Sequence, residues 1–250
     1  MIALIDMDLV LFRSAISAED DGFGIAKHRA ENLLEGLMKK TDAIDFRGFI
    51  SSKTNFRKTV MPSYKANRTK PKPIHLKALQ EYALKHMDAE MSRDDLEADD
   101  EMAIHQDENT VIVTLDKDLL QVPGKHFSWE ISGKNWKRPD KWFSQTELEG
   151  MRLFFIQCIM GDTTDNIPGI KNYGKVKATK LLGGCSTEQE MFDVVSQLYS
   201  DDEEFISNAS CVWMRRSLTD VWRDRFDKFQ ESVGEERMED SQETLGRSEV

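Results

Sequence analysis

Thr110-Val111-Ile112-Val113-Thr114-Leu115-Asp116-Lys117-Asp118 is the stretch on which the reading of this chain turns. Residues 110–114 are all β-branched, the composition of a short central strand buried on both faces, as strands of parallel sheets are. The run delivers Asp116 and Asp118 at its carboxyl end. Ile2-Ala3-Leu4-Ile5 stops at Asp6 in the same way, and residues 46–51 make a further strand. Between them, residues 25–40 place Ala30, Leu33, Leu34 and Leu37 on one face of a helix. Residues 74–87 are helical too. Ser92 is predicted to cap a helix running to about Gln106, with Asp95 at capping-box spacing. Strands alternating with helices imply an α/β fold built on a mainly parallel sheet.

Working outward, residues 126–138 are predicted to form a hairpin with Ser132-Gly133 at its turn. Ser144 is predicted to cap a helix reaching about Met160, with Glu147 in its first turn. Residues 173–183, 187–199 and 203–226 carry helical patterns, so a helical subdomain follows the sheet. From about Asp227 the apolar period is lost and acidic residues dominate, the composition of a disordered tail. The resulting division is a core over 1–160, a helical unit over 161–226 and a tail over 227–250. Residues 53–90 leave the core as an excursion. Its 53–72 part is basic and punctuated by Pro62, Pro71 and Pro73, which reads as mobile chain.

The chain has 250 residues and 39% hydrophobic content, enough for one sizeable core and a smaller appended unit. No apolar run approaches the roughly 20 residues of a membrane helix, and the N-terminus lacks a secretory pattern. Cys158, Cys185 and Cys211 are odd in number and far apart, which argues against a disulfide framework or zinc site and for a reducing, cytoplasmic setting. The formal net charge of −11 speaks against a polyanionic partner only until its distribution is inspected. Gly48 to Gln80 contains no Asp or Glu but carries Lys53, Arg57, Lys58, Lys65, Arg68, Lys70, Lys72 and Lys77. Asn166 to Gly184 is also free of acids and carries Lys171, Lys175, Lys177 and Lys180.

The carboxylates cluster at element ends: Asp6; Glu97, Asp99 and Asp100; Asp116 and Asp118; Asp162 and Asp165. Each alone has an ordinary explanation, as a helix-dipole partner, a cap or a turn residue. Together they imply more. In a parallel sheet the carboxyl ends of the strands share one edge, where ligands bind. Like charges gathered there repel by about 1 kcal/mol in water and several near a protein surface, so they require cations. Oxygen donors without His or Cys select hard ions, Mg²⁺ or Mn²⁺, and two such ions suit phosphodiester hydrolysis.

Two further constellations complement the carboxylates. In Phe56-Arg57 and Pro62-Ser63-Tyr64-Lys65-Ala66-Asn67-Arg68, cations without nearby anions call for a polyanion, and Tyr64 offers a face for an unpaired base. In Asn166-Ile167-Pro168-Gly169-Ile170-Lys171-Asn172-Tyr173-Gly174-Lys175-Val176-Lys177, glycines flank a turn before a basic helix start, a setting in which backbone amides bind phosphate.

Taken in order, Tyr64-Lys65-Ala66-Asn67-Arg68, Glu97-Ala98-Asp99-Asp100, Thr114 through Leu120 and Gly161-Asp162 through Gly174 resemble the motifs of 5′→3′ exonucleases and flap endonucleases. That group includes phage 5′-exonucleases and the exonuclease domain of bacterial DNA polymerase I. The similarity spans about residues 1–185, and the chain looks most like a stand-alone phage enzyme. The resemblance implies a PIN-like core, a helical arch and a helix–three-turn–helix motif. It implies that Asp6, Glu97, Asp99, Asp100, Asp116, Asp118, Asp162 and Asp165 are metal-site carboxylates and that Lys65 and Arg68 lie near the scissile phosphate. It implies that residues 166–178, with Gly169, Lys171, Gly174, Lys175 and Lys177, bind duplex and in relatives hold K⁺. The expected substrate is duplex DNA with a 5′ end or 5′ flap, with RNA–DNA hybrids as a further substrate, in replication or repair. A PIN-type ribonuclease and an inactive DNA-binding protein are the alternatives. One departure stands out: relatives commonly have an Asp after the second strand, where this chain has Ser51-Ser52, and Asp8 is the residue placed to compensate.

Overall fold

The computed structural model describes residues 1–133 and 135–232. Six strands, β1 (Ile2–Asp6), β2 (Asp45–Ile50), β3 (Ala89–Met91), β4 (Thr110–Val113), β5 (Gly124–Ser128) and β8 (Lys141–Gln145), form one sheet in the order β3-β2-β1-β4-β5-β8. All neighbours pair parallel except β5 with β8. The α/β class and the mainly parallel sheet are therefore as expected.

Alternation along the central strands divides the core in two. Ala3, Ile5, Val111 and Val113 face a cluster made with helices α1 (Met7–Ser17), α2 (Phe23–Thr41) and α4 (Leu76–His86). Leu4 and Ile112 face the other way, against Ala98 and Met102 of helix α5 (Ala98–His105). A third cluster, rich in aromatic rings, holds the helices that follow the sheet: α6 (Glu147–Met160), α7 (Lys175–Leu182), α8 (Glu188–Ser196) and α9 (Asp202–Val212). Met61 and Tyr64, just after the short helix α3 (Phe56–Val60), belong to that third cluster.

Several boundaries differ from expectation for identifiable reasons. The helix placed from Ser92 begins at Ala98. Ser92 spends its hydroxyl between Ser52 N–H (2.7 Å) and the Leu96 carbonyl (2.7 Å), and Asp95 is left-handed at φ 66°, which a helix cannot continue through. The helix expected from Ser144 begins two residues later, because Thr146 caps it and Glu149 returns to the Thr146 N–H at 2.9 Å. Ser132 and Gly133 lie in β6 (Ile131–Gly133), paired with β7 (Trp136–Arg138), so that hairpin is nested inside the β5–β8 connection. The helix expected over 203–226 is broken after Val212 and resumes over 222–232.

The first six residues of the expected tail, 227–232, are helical, and Phe229 stacks on Phe192 with ring centroids 4.7 Å apart. Residues 233–250 lie outside the described residues. Within the 53–72 excursion, expected as mobile chain, the part around Arg57, Met61, Tyr64 and Lys65 is packed and partnered, while residues 66–72 are exposed. Tyr64 is 3% exposed, Lys65 N–H donates to the Asp165 carbonyl at 2.8 Å, and Asn166 Nδ2 to the Ser63 carbonyl at 2.8 Å.

Candidate metal and nucleic-acid site

Because β1 and β4 run parallel in register, Asp6 and the residues after Val113 leave the sheet on one edge. Asp6 caps α1 through Oδ1, which accepts from Leu9 N–H at 2.9 Å, while its Oδ2 accepts from the Thr114 hydroxyl at 3.0 Å. Burial, then the charges of Asp8 and Asp116, push the Asp6 carboxyl up to about 7. At the start of α5, burial and then the charges of Asp6 and Asp116 hold the Asp99 carboxyl well above its ordinary range. Asp6 and Asp99 thus each feel the charge of Asp116, and their joint ionisation is disfavoured.

Around this centre, cations hold the other carboxylates. Lys65 binds Glu97 and stands 3.6 Å from Asp165, which also takes Arg68 and the Tyr64 hydroxyl. Glu97 is drawn down to about 2: burial alone would raise it, but Arg57 and then Lys65 outweigh that. Lys117 lies 2.9 Å from Asp162 and 3.6 Å from Asp118. Burial and then Asp116 raise Asp118 to about 6, against a hydrogen bond from Gln157 of 2.6 Å. Asp162 also accepts from Thr164 N–H at 2.7 Å, so the turn role that spacing alone suggested is present as well.

Among the described residues no three His, Cys, Asp or Glu side chains stand close enough to hold an ion as they are placed. The donor set nonetheless fits a hard divalent cation. It is all oxygen, it is crowded with mutually repelling carboxylates, and its surplus negative charge is only partly met by Lys65, Lys117 and Arg68.

Three expected roles are corrected. Arg57, read as a DNA contact, is fully buried and forks onto Asp100. Asp100, read as a metal ligand, is equally buried and spends its oxygens on Arg57 and on the Glu97 and Arg215 N–H groups. Tyr64 has no open face for a base, because its ring lies in the third core cluster. In the 166–178 segment, Lys171, Gly174, Lys175 and Lys177 are exposed. Gly174 caps α7 with open space around it. Gly169 has a packing reason of its own, since a Cβ there would lie 2.3 Å from the Met160 carbonyl. Ser51 sits at the site's rim, accepting from Ala98 N–H at 3.0 Å while its own N–H donates to Asp8 at 2.9 Å.

Lys117, Thr114 and Gln157 were missed from the sequence. Lys117 was legible in principle, lying between two candidate ligands. Gln157 carried no signal, because a mid-helix glutamine looks like any other.

The fold is that of T5 5′-exonuclease. A T5 5′-exonuclease structure with bound zinc matches with TM-score 0.63 at 18% identity, covering 94% of this chain and 98% of that one. A bacteriophage T5 flap endonuclease complex with DNA and metal ions gives 0.64 at 17%, with the same coverage. The catalytic core of Rad2 with DNA substrate gives 0.53 at 13%, covering 88% and 79%.

By sequence the chain is similar to 5′–3′ exonucleases and to part of DNA polymerase I, the groups its motifs resemble. It is 26% identical over 222 residues to a 5′–3′ exonuclease of Buchnera aphidicola, covering 80% of this chain and 75% of that one. It is 30% identical over 189 residues to DNA polymerase I of Streptococcus pneumoniae, covering 69% of this chain but 22% of the polymerase. It thus spans about a fifth of the polymerase relatives it matches. No protein-family model matches the chain.

Proposed function

We propose that this chain is a divalent-metal-dependent 5′-nuclease that hydrolyses phosphodiesters near 5′ ends or at 5′-flap junctions of duplex DNA. The observation that carries this reading is that the parallel register of β1 and β4 brings Asp6 and the Asp116-Asp118 segment to one edge of the sheet, where Lys65, Arg68 and Lys117 pair with the neighbouring carboxylates Glu97, Asp165 and Asp162. Its relatives named 5′–3′ exonuclease support it.

Asp6, Glu97, Asp99, Asp116, Asp118, Asp162 and Asp165 are the residues that would hold Mg²⁺ or Mn²⁺. Bound metal would supply a water nucleophile at neutral pH and stabilise charge at phosphorus. Lys65 and Arg68 would exchange their present carboxylate partners for the scissile phosphate and neutralise it as the 3′-oxygen leaves. Lys171, Lys175 and Lys177, exposed around the start of α7, would bind duplex phosphates, and carbonyls of the 166–178 turn would take K⁺. RNA–DNA hybrids are proposed as a further substrate. The proposed division of labour is a nuclease core over 1–160 and a duplex-binding unit from 161 onward. No helix among the described residues is long and apolar enough to cross a membrane.

The test is product analysis on a 5′-labelled flap and a blunt duplex, with and without Mg²⁺. Metal-dependent release of 5′ products, abolished in Asp116→Asn while DNA binding persists, is expected. Mg²⁺-dependent turnover by Asp116→Asn, or preferential cutting of single-stranded RNA, would overturn the reading.

A further inference from the structure

Arg57 has no solvent-exposed surface, yet it carries a full charge between three segments far apart in sequence. Its Nη1 and Nη2 fork onto the Asp100 carboxylate at 2.6 and 2.8 Å. Its Nε donates to the Cys211 carbonyl at 2.9 Å and Nη2 to the Trp213 carbonyl at 2.8 Å, where the chain leaves α9. Asp100 completes the junction by accepting from Glu97 N–H at 3.1 Å and Arg215 N–H at 3.3 Å. Nη1 of Arg57 also stands 3.4 Å from a Glu97 carboxylate oxygen.

A buried ion pair is weak evidence for stabilisation, because well-packed apolar side chains of similar volume serve as well or better. A guanidinium–carboxylate fork does something apolar packing does not: it fixes direction as well as distance. Here the fixed parts are the start of α5, which presents Glu97 and Asp99, and α3, which leads into Lys65 and Arg68. The chain after α9 is the third part.

We propose that Arg57 and Asp100 are a positioning pair. They set the Glu97–Asp99 turn for metal binding and lock it in register with the Lys65 segment and the C-terminal helical unit, touching neither metal nor DNA. The assignment rests on the nuclease reading for what Glu97 and Asp99 hold. It separates two residues whose sequence neighbours are ligands or phosphate contacts from those roles.

The experiment uses the full chain, stripped with EDTA, as wild type, Arg57→Lys, Asp100→Asn and the double variant. Mn²⁺ affinity is read by the electron paramagnetic resonance of the free ion, well below each variant's melting temperature. Flap affinity is read by fluorescence anisotropy in EDTA. Each single variant is expected to lose Mn²⁺ affinity about tenfold or more, the range for losing a group that orients a ligand. The double variant should lose no more than the worse single one, because the pair acts as one unit. Flap affinity should stay within about twofold, in the range of ordinary context effects.

If Asp100 were itself a ligand, Arg57→Lys would leave Mn²⁺ binding intact while Asp100→Asn lost it, and the proposal would fail. A lowered melting temperature with unchanged Mn²⁺ affinity in both variants would reduce the pair to a structural contact, which also overturns it. Arg57→Lys keeps the charge and most of the volume, so it carries the test if Asp100→Asn does not fold. A wild type that binds Mn²⁺ but never cuts the flap would sink the nuclease reading and leave the positioning result standing.

Discussion

Both oxygens of Asp6 accept hydrogen bonds, from Leu9 N–H and from the Thr114 hydroxyl, and each favours the charged form. Burial and the neighbouring Asp8 and Asp116 nevertheless win, and the carboxyl rises to about 7, with Asp118 at about 6. A carboxyl whose folded value lies above its unfolded one binds protons more tightly when folded. Its contribution to stability is therefore fully present below about pH 4 and is lost as pH rises through 6 to 7. Glu97 works oppositely, but its loss sets in only below about pH 4, toward its folded value of about 2. Metal-free protein should thus melt higher at pH 5 than at pH 7.5, by on the order of 5 °C. Mg²⁺ should narrow the gap by stabilising the protein chiefly at pH 7.5. Asp6→Asn should flatten the metal-free profile. A melting temperature that falls steadily from pH 7.5 to 5 in EDTA would show that these carboxylates are not in conflict. At this scale the shared edge of Asp6 and the Asp116-Asp118 segment was legible, because the ends of parallel strands lie along one edge. The burial of Arg57 was not: its partner Asp100 lies 43 residues away, and a cation run in sequence carries no mark of which member turns inward.

Helix α5 shows how an element can be present in the sequence and still be misplaced. Ser92 and Asp95 have capping-box spacing, but Ser92 is taken by Ser52 and Leu96, and the box that forms uses Asp100 on the Glu97 N–H. Capping spacing tells only that a cap is chemically available. Tertiary partners decide which one is used. Helix α1 went unread for a related reason: its cap is Asp6, which already had a role as a strand-end carboxylate. Helix α7 is a simpler case, since its basic start was visible and the side chains are where they were expected to be. Gly174 caps it without a side chain, Lys175 and Lys177 are exposed, and Val176 is 86% exposed beside them. A helix N-terminus so uncovered suits a phosphate backbone. Replacing Lys175 and Lys177 together with alanine should weaken duplex binding and flatten its salt dependence by about 0.9 per lost contact. Single-strand affinity should change less. Anisotropy titrations across a salt series check this, and equal losses on duplex and single strand would remove α7 from the duplex-binding surface.

At the scale of the whole molecule, composition placed the end of the folded body too early. Acidic residues after Asp227 dilute the apolar pattern, and hydropathy alone cannot see that one ring among them has a slot to fill. Phe229 stacks on Phe192 at 4.7 Å and lies 6.1 Å from Trp222, and its carbonyl accepts from Gln189. Trp222 and Phe226 are themselves buried against Phe205, so residues 222–232 cover one flank of the aromatic cluster that also holds α6, α8 and α9. A chain ending after Phe226 would lose the half-buried Phe229 and its ring contacts, which costs about 2 kcal/mol. For a chain of this size that is about 4–8 °C in melting temperature. A chain ending after Ser232 keeps those contacts and should melt within about 1 °C of the full chain, since the acidic composition of 233–250 offers too few apolar side chains to offset the entropy of ordering them. Both truncations should retain cleavage at temperatures well below their transitions, because the carboxylates and Lys65 lie in the first part of the chain and Asp162 and Asp165 follow α6 directly. Paired thermal melts of the two truncations and the full chain decide the matter. Equal melting temperatures for the chains ending at Phe226 and Ser232 would show that Phe229 contributes nothing, and that the acidic composition had marked the boundary correctly.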